Sequence, residues 1–146
     1  MQTLVFVIQI NATPAKVWNS LWDSENYKKW TNAFCAGSYY TIERFSEGSK
    51  VHFLSPNGSG MYSVVDKIIE NKLLIFRHLG ELNNFEEQPI DEKTKQWSNA
   101  LEGYELIETE TGTTLEVKVD TVDEYVDFMN KSFVLGLQEL KKMAES

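Results

Sequence analysis

The side chains able to do chemistry in this chain of 146 residues are few and scattered: two histidines, one cysteine and a handful of tyrosines and arginines among 22 acidic residues. General acid–base work needs a titratable group held beside a partner. His52 and His78 fall on separate strand-like segments, Val51 to Leu54 and Leu73 to Leu79, and neither has a partner at a motif spacing. Two histidines without an ordered carboxylate make a poor metal-ligand set, so no metal and no cofactor is expected. His52 shares parity with Lys50 and Leu54, opposite Val51 and Phe53, and is expected to point outward. Arg44 shares parity with Tyr40 and Ile42. On an inward face it would meet a carboxylate or enolate oxygen; at a strand end it would reach solvent. Cys35, between Phe34 and Ala36, can form neither an intrachain disulfide nor a thiolate cluster and reads as a small buried residue. No G-x-S-x-G, G-x-G-x-x-G, Walker A or H-E-x-x-H pattern occurs, so no catalytic residue is assigned.

Charge narrows the partners. The net charge is -8, and the acidic side chains are expected on loops and outer faces. That field repels phosphate backbones and anionic headgroups, which argues against nucleic acid and membrane surfaces. No run of 18 apolar residues occurs, and MQTLVFVIQI lacks a basic leader, so a soluble cytoplasmic protein is expected. A chain of this length suits a single domain over residues 1–146, with enough core to fold without staples.

The elements follow from periodicity. Thr3 to Ile10 reads as a strand with Leu4, Phe6, Ile8 and Ile10 on one face. Thr13-Pro14 starts a short helix with Val17, Trp18, Leu21 and Trp22 in a stripe, and Asp23-Ser24 starts a second that turns Tyr27 and Trp30 inward. Strands follow over Tyr39 to Phe45, Val51 to Leu54, Met61 to Glu70 and Leu73 to Leu79, with turns at Pro56-Asn57-Gly58 and Asn71-Lys72. Glu81 to Lys95 reads as a long surface loop. Ala100 to Thr109 and Thr113 to Val119 are further strands, and Thr121-Val122-Asp123-Glu124 has the form of a capping box opening a helix that reaches Ala144. Short connections imply an antiparallel meander, and helices on one face of it make an α+β fold.

In this order the segments resemble the START-like (SRPBCC) superfamily, in the branch of the activator of Hsp90 ATPase homologue 1. The carriers are INATPAKVWNSLWDSENYKKWTNAF, then Gly58 and Gly60 leading into MYSVVDKIIENKLLIFRH, then TETGTTLEVKV with a final helix ending GLQELKKMAES. The resemblance implies a helix-grip (START-like/TBP-like) fold: a curved antiparallel sheet of about seven strands around a long C-terminal helix, with two short helices after the first strand. It also implies a cavity between the sheet and that helix.

Around such a cavity the sequence offers Trp30 and Phe34 at the mouth, Tyr40, Phe53 and Tyr62 in phase on their strands, and Met129, Phe133 and Gly136 on the inner face of the last helix. Gly136 costs about 1 kcal/mol relative to Ala in a helix, offset either by room for a ligand or by close packing. Trp97 folds over the cavity as a lid or anchors the loop. The leading expectation is a binder of a small apolar or amphipathic ligand, with Arg44 or a tyrosine orienting its polar end. A cyclase- or hydratase-type enzyme using the same cavity is the second reading. A chaperone contact, suggested by the resemblance, is the third, and homodimerisation through an exposed strand stays open.

Overall fold

The computed structural model describes residues 1–146. Strand β1 (Gln2–Ile10) alternates as its pattern requires, ending on Ile10 at 2% exposure, while Val5 and Val7 face outward. Helix α1 (Pro14–Trp22) is capped by Thr13, whose Oγ1 accepts the Lys16 N–H at 3.2 Å. Helix α2 (Ser24–Thr31) is capped likewise by Asp23, whose Oδ2 accepts the Asn26 N–H at 3.1 Å.

Strands β2 (Tyr39–Ile42), β3 (Lys50–Leu54), β4 (Gly60–Ile69), β5 (Leu73–Asn83), β6 (Glu86–Glu87), β7 (Leu101–Thr109) and β8 (Gly112–Thr121) join β1 in one 8-stranded antiparallel sheet. Its order is β1-β8-β7-β5-β4-β3-β2, with β6 attached to the far end of β5. The sheet curves around the long helix α3 (Val126–Glu145), which gives the helix-grip architecture.

Directly paired residues share a face of the sheet. The concave face therefore carries the rows Tyr40, Phe53, Met61 and Val65, Phe76, Glu102, Val119. A third row is Leu74, Tyr104, Val117, Phe6. Tyr62 pairs with His52 and Gly80 and belongs to the convex face, which corrects its expected phase with Phe53. The parity of β4 depends on the β3–β4 hairpin, and the register there sets Met61 opposite Phe53.

Three other expectations are corrected. The supposed loop after Leu79 begins as strand: β5 continues to Asn83 and turns back through Asn84 and Phe85 (φ 52 and 68) into β6. Two adjacent left-handed residues are the signature of a type I′ hairpin turn, which Asn favours and Phe conceals. The capping box does not form. Thr121 is the last residue of β8, paired with Gln2 and 6% exposed, and α3 starts after a short 3₁₀ turn at Asp123–Tyr125. Cys35 is exposed because it lies in the turn after α2.

The core lies between the concave face, α1, α2 and the second half of α3. Val17, Leu21, Leu74, Leu115 and Leu140 have essentially no exposed surface. Trp22 stands edge-on to Tyr104 (4.9 Å between centroids, 87°) and to Phe76 (5.5 Å, 76°), which ties α1 to the middle of the sheet.

Candidate functional site

A two-lobed cavity lies between the concave face and the N-terminal turns of α3, where Phe128 and Met129 border it, while Phe133 already stacks on Phe6 of β1 (4.8 Å between centroids). One lobe, of about 360 Å³, is walled by aromatic residues that include Tyr27, Trp30, Phe34, Phe53 and Phe133. The other, of about 450 Å³, runs under Trp97, Val122 and Tyr125. They meet at Gly60, Met61, Glu102, Phe128 and Met129, which line both. Gly60 is required at this junction by its backbone: at φ 155, a Cβ there would lie 1.8 Å from the Phe53 carbonyl oxygen, so only glycine lets the start of β4 approach β3 this closely.

Where the lobes meet, the concave face turns polar. Ser63, His78, Glu102 and Tyr104 come from three adjacent strands, β4, β5 and β7, and form one hydrogen-bonded chain. Ser63 Oγ lies 2.6 Å from His78 Nδ1, and His78 Nε2 lies 2.9 Å from Glu102 Oε1. The Tyr104 hydroxyl donates to Glu102 Oε2. His78 Nε2–H donates to Glu102 in the neutral Nε2 tautomer and in the imidazolium alike; Nδ1 accepts the Ser63 hydroxyl proton in the first and donates to the Ser63 oxygen in the second. A register shift between Tyr62 and Ser63 sets Ser63 opposite His78, so the chain depends on a β-bulge.

Burial of this group is deep but not complete. Ser63 is fully buried and His78 is 4% exposed, whereas the Glu102 side chain keeps 20% of its surface, and that residue lines both lobes. Burial alone would raise the Glu102 pKa. The hydrogen bond and charge of His78, with the Tyr104 hydroxyl, outweigh burial and hold the carboxyl below its ordinary value. Tyr104 is pushed the other way, well above the usual tyrosine range, by burial and by the neighbouring Glu102 charge. The pair therefore consists of an ionised carboxylate and a neutral phenol at neutral pH.

The ten residues singled out from sequence divide by position. Trp30, Phe34, Phe53, Met129 and Phe133 line the aromatic lobe, and Trp97 lines the other. Trp97 also closes the 3₁₀ turn at Thr94–Gln96, with its N–H on the Thr94 carbonyl at 3.0 Å. Tyr40 is set back from the lobe: its hydroxyl donates to the Trp22 carbonyl and its ring stands against Tyr27 (4.7 Å). Burial, then the Asp23 charge, pushes its pKa up to about 12. Arg44 is exposed beyond the end of β2, because the strand stops at Ile42 and the chain turns away. Tyr62 is on the convex face, with its hydroxyl on the Gln88 carbonyl oxygen at 2.8 Å. Gly136 lines neither lobe; a Cβ there would lie 3.0 Å from the Trp30 carbonyl oxygen and 3.2 Å from the Phe34 ring. Close packing of α2 on α3 explains it.

His52 faces outward, 2.8 Å from Glu87 Oε2. The largest surface depression, about 750 Å³ between α2 and α3, is open, holds no strand residue and is lined by Glu25, Lys28, Lys29 and Lys142 among others. It is a solvated groove, distinct from the cavity.

Sequence reasoning missed Glu102, Tyr104, Ser63 and the inward His78. A signal was present. His78 continues the parity of Leu74 and Phe76, and Glu102 that of Tyr104 and Leu106. Each is a polar residue at a position where strand alternation calls for an apolar one.

No family model matches the chain, and no curated protein matches it in sequence. Solved structures do resemble it. The Aha1 dimer from Colwellia psychrerythraea is 25% identical over 99% of this chain and 97% of its own, with a TM-score of 0.70. Protein MLL2253 from Mesorhizobium loti is 16% identical over 97% of this chain and 96% of its own, at 0.74. DynU16, a protein in the dynemicin biosynthetic locus, is 14% identical over 100% of this chain and 48% of its own, at 0.71. These likenesses agree on the helix-grip fold. No helix here is long and apolar enough to cross a membrane.

Proposed function

We propose that the protein binds a small apolar or amphipathic molecule in the two-lobed cavity under the N-terminal turns of α3. The observation that carries this reading is the cavity itself: lobes of about 360 and 450 Å³ that share a polar junction. Ligand sites are commonly concave, mostly apolar and of roughly 300–1,000 Å³, with a few convergent polar groups. Aromatic walls with one carboxylate at the junction suit a ligand that has an apolar body and one polar point. Native mass spectrometry of the protein as purified, with a thermal-shift screen of aromatic and aliphatic compounds, tests the reading. A bound mass, or a melting temperature that rises with compound, is expected; a bare protein that no compound stabilises would end it.

The Glu102–His78 pair supports a second reading, in which the cavity is the site of a cyclase- or hydratase-type reaction. A carboxylate hydrogen-bonded to an imidazole can take a proton from a bound molecule. Turnover of a bound compound that vanishes in His78→Ala, with binding retained, would separate this reading from the first. The likeness in shape to the Aha1 dimer supports homodimerisation and extends the proposal to a chaperone contact. Light scattering at several protein concentrations, and the ATPase rate of an added Hsp90-class chaperone, test these two points.

A further inference from the structure

This inference rests on the proposed binding reading and specifies its ligand. We infer that the cavity selects an organic cation: a molecule whose aromatic or apolar body fills the aromatic lobe and whose protonated amine donates a hydrogen bond to Glu102.

Three features converge on that chemistry. The first is the acceptor capacity of Glu102. A carboxylate offers about four lone-pair sites. Here one oxygen receives His78 Nε2 at 2.9 Å and the other the Tyr104 hydroxyl. Acceptor capacity remains on a side chain that is 20% exposed and lines both lobes. An acceptor-only group at the junction calls for a donor on the ligand.

The second is the sign of the surroundings. No lysine or arginine lines either lobe, whereas Glu81 joins Glu102 around the second. Arg44, the residue that sequence alone offered for an anionic ligand, lies outside on the surface. His78 is already engaged by Ser63 and Glu102. A carboxylate or phosphate entering the cavity would leave water to face the Glu102 carboxylate with no lysine or arginine to receive it. The net charge of -8 adds to that repulsion and draws cations in.

The third is the wall. Tyr27, Trp30, Phe34, Phe53 and Tyr104 present rings around one lobe. Aromatic faces attract cations through the ring quadrupole, most strongly where the site is desolvated. A neutral molecule gains the same apolar contact without this contribution.

The test uses three matched probes on the full chain, 1-naphthylmethylamine, 1-naphthalenemethanol and 1-naphthoic acid, titrated by calorimetry at pH 7. A charge-assisted hydrogen bond corresponds to a preference of about tenfold or more, so the amine is expected to bind at least that much tighter than the alcohol, and the acid weakest. In Glu102→Gln the amine is expected to lose about tenfold or more while the alcohol changes less than about threefold. If that variant does not fold, the ranking on the wild-type chain decides alone. Equal binding of amine and alcohol, or a preference for the acid, overturns the cation inference and leaves the cavity reading standing. Failure of all three to bind at millimolar concentration overturns the cation inference, and the cavity reading falls with it only if no compound of the wider screen stabilises the protein.

Discussion

The two halves of α3 lie over the same sheet and behave differently. In the second half, Leu137, Leu140 and Ala144 are buried among apolar neighbours, and Gly136 brings the helix backbone against α2. The end is tied down by the Asn11 N–H on Glu145 Oε2 (2.8 Å) and by Lys141 Nζ on the Gln9 carbonyl oxygen (2.6 Å). At the N-terminal turns Met129 is only partly buried and Phe128 is about half exposed, as is Tyr125 just before the helix, and the sheet there offers His78 and Glu102 in place of leucine and valine. Rows that continue apolar across the sheet close on the helix. A row interrupted by a hydrogen-bonded chain does not. A helix can be gripped along most of its length and left open at its start when its partner surface changes from apolar to polar.

The sharpest way to break this contrast is by truncation in each half. Leu140→Ala is expected to destabilise the protein by about 3 kcal/mol, since it opens a cavity in close-packed surroundings. Met129→Ala, whose side chain already borders open space, is expected to cost about 1 kcal/mol or less. Denaturant titration of both measures the difference, and equal costs would mean that the two halves are packed alike.

Next in size is the polar chain itself. Glu102→Gln leaves either His78 or Tyr104 facing a donor and is expected to cost about 2 kcal/mol near neutral pH. The sign with pH is fixed by linkage. Glu102 has a lowered pKa in the folded protein, so its contribution is present above the ordinary carboxylate range and is lost as pH falls through the folded value. Wild-type stability should therefore decline below about pH 4 more steeply than that of the variant. Parallel curves would remove Glu102 from the account.

A smaller effect sharpens the closed half. Gly136→Ala gains helix propensity of about 1 kcal/mol but forces a methyl group against the Trp30 carbonyl oxygen at 3.0 Å. Because that oxygen belongs to the α2 backbone and cannot step aside cheaply, the net change is expected to be slightly destabilising, by roughly 0.5 kcal/mol. A stabilised variant would show slack between α2 and α3. Smallest of all is Arg44→Ala: the side chain lies outside the cavity, so the affinity of any cavity ligand should stay within about twofold, as titration calorimetry would measure.

Much of this was legible in the sequence, for reasons particular to each element. Local signals determined local structure: Thr13-Pro14 and Asp23 cap their helices with their own side chains, and the alternation of Leu4, Phe6, Ile8 and Ile10 states which face of β1 is buried. The stripe Phe133, Leu137, Leu140 and Ala144 likewise orients α3. What the sequence could not determine depends on pairing between distant residues. The β-bulge at Ser63, the register that turns Tyr62 outward and the β1–β8 pairing that claims Thr121 from its capping box are all decided by a neighbouring strand. Glu102 belongs to this second kind. Alternation alone puts it on the inner face, yet only the fold supplies His78 and Tyr104 as the partners whose hydrogen bonds offset its burial. Side-chain pattern acts over a turn or a strand, whereas the meeting of β4, β5 and β7 under the start of α3 is a property of the whole sheet.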